Sequence, residues 1–256
     1  NYGAFADLLW WLHRAVYNRA DRVLATSERM VDDLTAHGVQ NVGLWRRGVD
    51  VERFNPGYAS NEMRARLTDG HPERTILLSV GRLAPEKQVG QLRDVLDQMR
   101  DDDVHLAIVG DGPERSALED FFLGYPVTFS GYLRGLDLSI AFASADIFMF
   151  PSSVIETFGL VAAEAMASGT PVVASDVGGM REIIEHEKNG YIFAENDTNA
   201  MASFARQLVI DPERRDAFAL RARACMENRT WDVVMEALIA DYQSLILAKA
   251  PVAEMA

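Results

Sequence analysis

The sequence predicts an α/β fold dominated by a doubly wound, mostly parallel sheet, and three observations carry that reading. Short apolar segments alternate with helical stretches from Thr75 to Phe193. Those segments are rich in Val, Ile and Phe and almost free of polar residues, as strands covered on both faces are. Hydrophobic residues make up 48% of the 256, enough to fill a core.

In order along the chain, residues 5–20 (FADLLWWLHRAVYNRA) have the spacing of an amphipathic helix, and 22–26 read as a short strand. A second helix is expected over 27–37, with Ser27 as its N-cap and Gly38 at its close. Residues 42–45 predict a strand, and 48–56 read as a connection. Strands are then expected at 76–80, 105–109, 128–130, 147–150, 172–174 and 191–193. Helices fall between them, at 89–99, 114–122, 136–143, 158–168 and 180–185. The tail reads as three helices, 199–210, 212–227 and 231–247, and 250–256 as a frayed end.

Residues 1–47 hold too few strands to close a core, so they are expected to be the end of an earlier α/β domain cut short in this sequence. A linker over 48–56, a main domain over 57–230 and a last helix with its tail over 231–256 complete the expected organisation. The net charge of −13 argues against sequence-independent nucleic-acid binding, which needs a basic face. A lone cysteine, Cys225, rules out an internal disulfide and fits a reducing compartment. Neither a signal peptide nor an apolar run of about 20 residues is present, so a cytoplasmic protein is expected, with peripheral membrane contact left open.

The most informative stretch is PSSVIETFGLVAAEAMASGTPVVASDVGG, from Pro151 to Gly179. It places Glu156 in a loop after a strand and Glu164 about two turns into the following helix, on the face of Thr157. The start of that helix, at Thr157-Phe158-Gly159, offers unpaired N–H groups and the positive end of a macrodipole, a seat for an anion. Two carboxylates flanking it can accept hydrogen bonds from sugar hydroxyls. A glycosidase acid and nucleophile would need carboxylates facing each other across a bond, which one loop and its helix do not provide.

Arg82 and Lys87 in VGRLAPEK follow the first strand of the main domain, at the edge where open α/β sheets bind ligands. Together they could neutralise a diphosphate. VGDGPE (Val109 to Glu114) is a second strand-to-helix turn, equally readable as a tight turn with Pro113 opening a helix or as a ligand contact. It lacks the spacing of a dinucleotide fingerprint. FSGYL (Phe129 to Leu133) ends another strand where backbone could meet a flat base, and Gly178-Gly179 opens a further helix with Glu182 as a solvated first-turn acid. The histidines at 13, 37, 71, 105 and 186 lack zinc-ligand spacing, and no Gly-x-Ser-x-Gly elbow or Walker loop occurs.

Taken together, GRLAPEK, VGDGPE, FSGYL, the Glu156 and Glu164 pair and PVVASDVGG resemble the retaining nucleotide-sugar glycosyltransferases of family 4 (group 1), which have the two-domain GT-B fold. The likeness covers nearly the whole chain, with five motifs in order. The wording LWRRGVDVERFNP, EMRARLTDGHPER and VGRLAPEK looks closest to the sulfolipid-forming branch, which uses UDP-sulfoquinovose and diacylglycerol. It is also similar to bacterial mannosyl- and glucosyltransferases acting on lipids.

The resemblance implies that 57–230 is the C-terminal Rossmann-like donor domain and that helix 231–247 crosses back onto the N-terminal one, leaving its apolar face exposed here. It implies that Arg82 and Lys87, after Gly81, bind the donor diphosphate, that Glu164 holds the ribose hydroxyls, and that Glu156 contacts the sugar. Phe158, Gly159 and Leu160 would present backbone N–H groups, and Tyr132 and Leu133 would take the base. Glu156, Arg82 and Lys87 are thus the expected catalytic residues, with no metal and no cofactor. The expected partners are a nucleotide-sugar donor and, through the N-terminal domain, a lipid acceptor. Three residues separate Ser152 from Glu156, where relatives often have two, which puts the approach of Glu156 to the sugar in doubt.

Overall fold

The structure is a computed structural model that describes residues 2–153 and 158–249. Glu156 and Thr157, and the end expected to fray at 250–256, lie outside the described residues. The chain forms two compact units, Val49–Asn228 and a discontinuous one made of Asn1–Gly48 and Arg229–Ala256.

The discontinuous unit opens with α1 (Tyr2–Tyr17), β1 (Val23–Ala25), α2 (Glu28–Ala36) and β2 (Val42–Leu44). Strands β1 and β2 pair in parallel, Val23 opposite Val42. As the sequence predicts, the Ser27 side chain caps α2 by accepting from the Met30 N–H, and Gly38 follows its end at φ +83°.

The continuous unit holds one six-stranded sheet built from β3 (Thr75–Val80), β4 (Val104–Val109), β5 (Val127–Gly131), β6 (Ile147–Phe150), β7 (Val172–Ser175) and β8 (Gly190–Phe193). Every pairing is parallel and the order is β5-β4-β3-β6-β7-β8. The chain therefore builds outward from β3 to β5, then returns to the other side of β3 and builds the opposite way. Its helices are α3 (Asn61–Leu67), α4 (Leu92–Gln98), α5 (Arg115–Phe121), α6 (Leu136–Ser144), α7 (Leu160–Ala167), α8 (Met180–Ile183), α9 (Thr198–Ile210) and α10 (Pro212–Glu227).

The period of two along each strand divides the core into two layers. Ile76, Leu78, Ala107, Val109, Phe148, Phe150, Val172 and Ala174 face one layer, shared with α3, α6, α7 and α8. Their neighbours Leu77, Leu106, Ile108, Ile147, Met149, Val173, Tyr191 and Phe193 face the other, shared with α4, α5 and α9. Burying each large side chain contributes ~1.5–3 kcal/mol, so both faces of the sheet are strongly held.

Helix α3 has no counterpart in the sequence reading. Its Ser60 accepts from the Met63 N–H as an N-cap, and Met63 and Leu67, one turn apart, are its buried contacts. Within the stretch 48–56 read as a connection, Val49 and Phe54 belong to the core of the continuous unit.

The last helix, α11 (Trp231–Lys249), completes the discontinuous unit. Arg22 there donates to both carboxylate oxygens of Asp241, at 3.1 and 2.6 Å. Ile239, Tyr242, Ile246 and Leu247 on α11 are exposed, as are Phe5, Leu8, Trp11 and Val16 on α1. Among the described residues no helix is long and apolar enough to cross a membrane.

Candidate functional site

The strand order creates a crevice between β3 and β6 at their carboxyl ends, because the chain leaves those two ends toward opposite sides. Open α/β sheets bind ligands at such a point. Here a narrow cleft is lined by Ser79 to Leu83 and Lys87 on one side and by Phe150, Pro151 and Ser152 on the other.

Backbone contacts hold the two loops together. The Ser153 N–H donates to the Glu86 carbonyl at 2.8 Å. From below, the buried Ser175 hydroxyl donates to the carbonyls of Ser152 and Phe150, at 2.5 and 3.3 Å. Lys87 lies across the cleft with its Nζ 5.6 Å from the centre of the Phe150 ring, a cation–π contact. Arg82 is exposed and pairs with Glu86 at 2.7 Å. That hydrogen bond holds the Glu86 carboxyl below its ordinary value.

The VGDG turn buttresses this loop. A Cβ on Gly110 would lie 1.8 Å from the Gly81 carbonyl oxygen, so the two strand-end turns can abut only without a side chain there. The Gly81 N–H donates to Val109, the Leu83 N–H to Asp111 and the Glu114 N–H to Leu83, at 3.0, 2.9 and 3.1 Å. Of the two readings open for this turn, the contacts support the tight turn. Pro113, expected to open the following helix, stands before it, since α5 begins at Arg115 with Glu114 as its N-cap.

Helix α7 begins at Leu160, later than the sequence predicts. Gly159 is its N-cap in the left-handed region, at φ +81° and ψ +53°, and no described side chain caps the start. A Cβ at Gly159 would meet the Met180 methyl at 2.1 Å, so α7 and α8 start against each other. The Phe158 side chain is buried in the core. This late start corrects the placement of Glu164, which stands one turn into the helix rather than two. Burial pushes its carboxyl up to about 7, opposed by the charge of Arg53.

Tyr132 and Leu133 follow β5, two strands from β3, hence about 10 Å away at a strand spacing near 4.8 Å. Tyr132 is exposed with Arg134 over its ring at 5.0 Å, while Leu133 is buried. Arg53 was not visible to sequence reasoning because its surroundings read as a connection; its proximity to Glu164 exists only in the fold. A larger cavity of about 830 Å³ lies elsewhere, beside α8 and α10. Its Arg181 and Lys188 are paired with Asp176 and Glu185, and the motifs of the crevice do not reach it. Among the described residues, no group of three or more His, Cys, Asp or Glu could hold a metal ion.

Fold and crevice together define a GT-B glycosyltransferase architecture. The structure matches that of Anabaena Alr3699/HepE in complex with UDP at a TM-score of 0.83 and 25% identity, over 95% of this chain and 69% of that one. It matches sucrose-phosphate synthase from Thermosynechococcus elongatus at 0.80 and 27%, over 93% and 62%.

The chain belongs to the glycosyl transferases group 1, whose family model matches residues 65–224, and a Glycosyltransferase Family 4 model matches 2–53. It is 39% identical to the sulfoquinovosyl transferase SQD2 of Arabidopsis thaliana, over 87% of this chain and 44% of the plant protein. It is 36% identical to a GDP-mannose-dependent alpha-mannosyltransferase of Mycolicibacterium smegmatis, over 95% of this chain and 62% of that protein. The chain thus spans between 44% and 62% of the length of these relatives.

Proposed function

We propose that the chain is the donor-binding half of a retaining glycosyltransferase that moves a sugar from UDP-sulfoquinovose to a lipid acceptor such as diacylglycerol. The observation that carries the donor reading is the crevice between β3 and β6, which joins Arg82 and Lys87 to the loop leading toward α7. A diphosphate there would meet the guanidinium, the ammonium and the N–H groups of Gly159 and Leu160. These fixed charges would stabilise the leaving group as the glycosidic bond breaks, the part a metal plays elsewhere. With the phosphates at β3, a nucleoside would extend toward β5, where the backbone around Tyr132 and Leu133 could receive the base. Glu164 would accept from the ribose hydroxyls and Glu156 would contact the sugar. The acceptor would arrive from an N-terminal domain, at the cytoplasmic face of a membrane.

The choice of UDP-sulfoquinovose is supported by the likeness to the plant sulfoquinovosyl transferase. A GDP-mannose donor is the second reading, favoured by the mannosyltransferase relatives. Calorimetric titration with UDP and GDP separates them: UDP binding alone is the expected result, and GDP binding alone replaces the sulfolipid reading with a mannosyl one. Binding of neither nucleotide would remove the donor assignment. Transfer assays with the full-length enzyme then test the sugar, and failure with every donor would leave a non-catalytic binding module.

A further inference from the structure

Arg223, on α10, makes an unusual set of contacts. Its Nη1 donates to the carbonyls of Val51, Phe54 and Ala167, at 2.9, 2.8 and 2.7 Å. Its Nε donates to Glu227 at 2.9 Å. Ala167 is the last residue of α7, so its carbonyl lacks a helical partner, and a cation there also complements the helix dipole. One guanidinium therefore fastens the loop 51–54 to the final turn of α7.

Each end of this clamp bears on the crevice. Glu164 lies three residues before Ala167, on the same turn, so holding the Ala167 carbonyl fixes the backbone from which Glu164 projects. On the loop, Arg53 stands between the two clamped carbonyls. Its guanidinium lies 5.2 Å from the centre of the Phe54 ring, and Phe54 packs edge-on against Phe142 at 5.8 Å. Both Arg53 and Glu164 are thus carried by backbone that Arg223 holds.

We propose that Arg223 is a positioning residue for donor binding: it clamps the loop bearing Arg53 against the turn bearing Glu164, so that guanidinium and carboxylate grip the donor's ribose hydroxyls as one unit. The assignment rests on the donor reading above. Strands β6 (IFMF) and β7 (VVAS), which flank α7, bring no ionisable group. On α10, Arg223 and Glu227 pair with each other, and on α6 Asp137 pairs with Arg66 at 3.7 Å. Burial favours the neutral form of Glu164, and the charge of Arg53 opposes it by favouring the ionised carboxylate. That form is the better acceptor for hydroxyl groups.

The test is a calorimetric titration of the chain with UDP, and with GDP in parallel, from about pH 5.5 to 8.5. In the parent chain, affinity is expected to fall as pH drops through about 7, where Glu164 takes up its proton. Glu164→Gln gives the baseline, which retains only the ligand's own phosphate titration. Arg53→Met and Arg223→Met should each move the Glu164-dependent midpoint to higher pH and weaken binding about three- to tenfold at pH 7.

A residue that merely supports the fold would lower the melting temperature and leave that midpoint in place, which would overturn the proposal. Arg53 is exposed, so Arg53→Met remains decisive if Arg223→Met fails to fold; an unmoved midpoint there is equally fatal. No binding of either nucleotide by the parent chain would bring down the donor reading and this proposal together. Binding with unmoved midpoints would bring down this proposal alone.

Discussion

The two edges of the sheet use the same residue types for opposite ends. At the amino edge, Arg64 donates to the carbonyls of Pro72, Ser144 and Arg74 and to the Asp146 carboxylate, all between 2.7 and 3.0 Å. Asp146 also accepts from the Ile76 N–H at 2.7 Å, so one ion pair locks the start of β3 to the start of β6. At the carboxyl edge, Arg82 is exposed and pairs only with its near neighbour Glu86 among the ion pairs of the described residues. An arginine whose donors are satisfied by carbonyls of distant segments holds the fold. One held only by a near neighbour at an exposed edge ties no distant segments together, which is what the donor reading proposed above requires of Arg82.

The comparison can be broken by substitutions, in order of expected effect. Gly110→Ala should be the most damaging, because its Cβ would lie 1.8 Å from a backbone oxygen at φ +148°. A loss of about 3 kcal/mol or more in denaturant unfolding is expected, together with lost nucleotide binding. Arg64→Met leaves Asp146 partly buried without its partner and should cost about 2–4 kcal/mol. It should spare UDP affinity at temperatures where the protein stays folded; a parallel loss of affinity would erase the distinction between the edges. Arg82→Ala combined with Lys87→Ala should do the reverse. Stability should change by about 0.5 kcal/mol or less, while the rise in melting temperature given by UDP disappears.

Smaller effects come from protons, and the two edges respond in opposite senses. His105, at the amino end of β4, is held near 4 mainly by burial, with Nε2 against the Thr128 hydroxyl at 2.8 Å. Its contribution to stability is present above 6.5 and is lost as pH falls toward 4. Glu164 has a raised value, so its contribution is present below 4.5 and is lost as pH rises through about 7. Each amounts to at most about 3 kcal/mol. Melting curves of His105→Asn and Glu164→Gln should flatten the acid and neutral limbs respectively, and an unchanged profile in either would refute that assignment.

Most strands and helices were legible because burial on both faces leaves a simple apolar pattern. What could not be read was adjacency. Nothing in the order of the strands announces that β6 returns beside β3, yet that return brings Lys87 over Phe150. Helix α3 escaped because its seven residues carry three charged side chains and only two buried ones, although Ser60 was a usable N-cap signal. The sequence pattern starts α7 too early because Gly159 adopts a left-handed conformation that ends one loop and starts the helix. Arg53 and Arg223 lie 170 residues apart in number and meet only through carbonyls, a partnership with no sequence signature.

The pairing of Arg22 with Asp241, separated by 219 residues, also sets an order in which the two units can be completed. Along the chain the whole continuous unit lies between α1, β1, α2 and β2 on one side and α11 on the other, so α11 leaves the ribosome only after that unit has been made. Arg22 must therefore wait for its partner Asp241 until the continuous unit has been made. The continuous unit, whose contacts lie within one stretch of chain, can fold during that wait. A premature stop after Asn228 would leave it entire while depriving α1, β1, α2 and β2 of the helix that joins them.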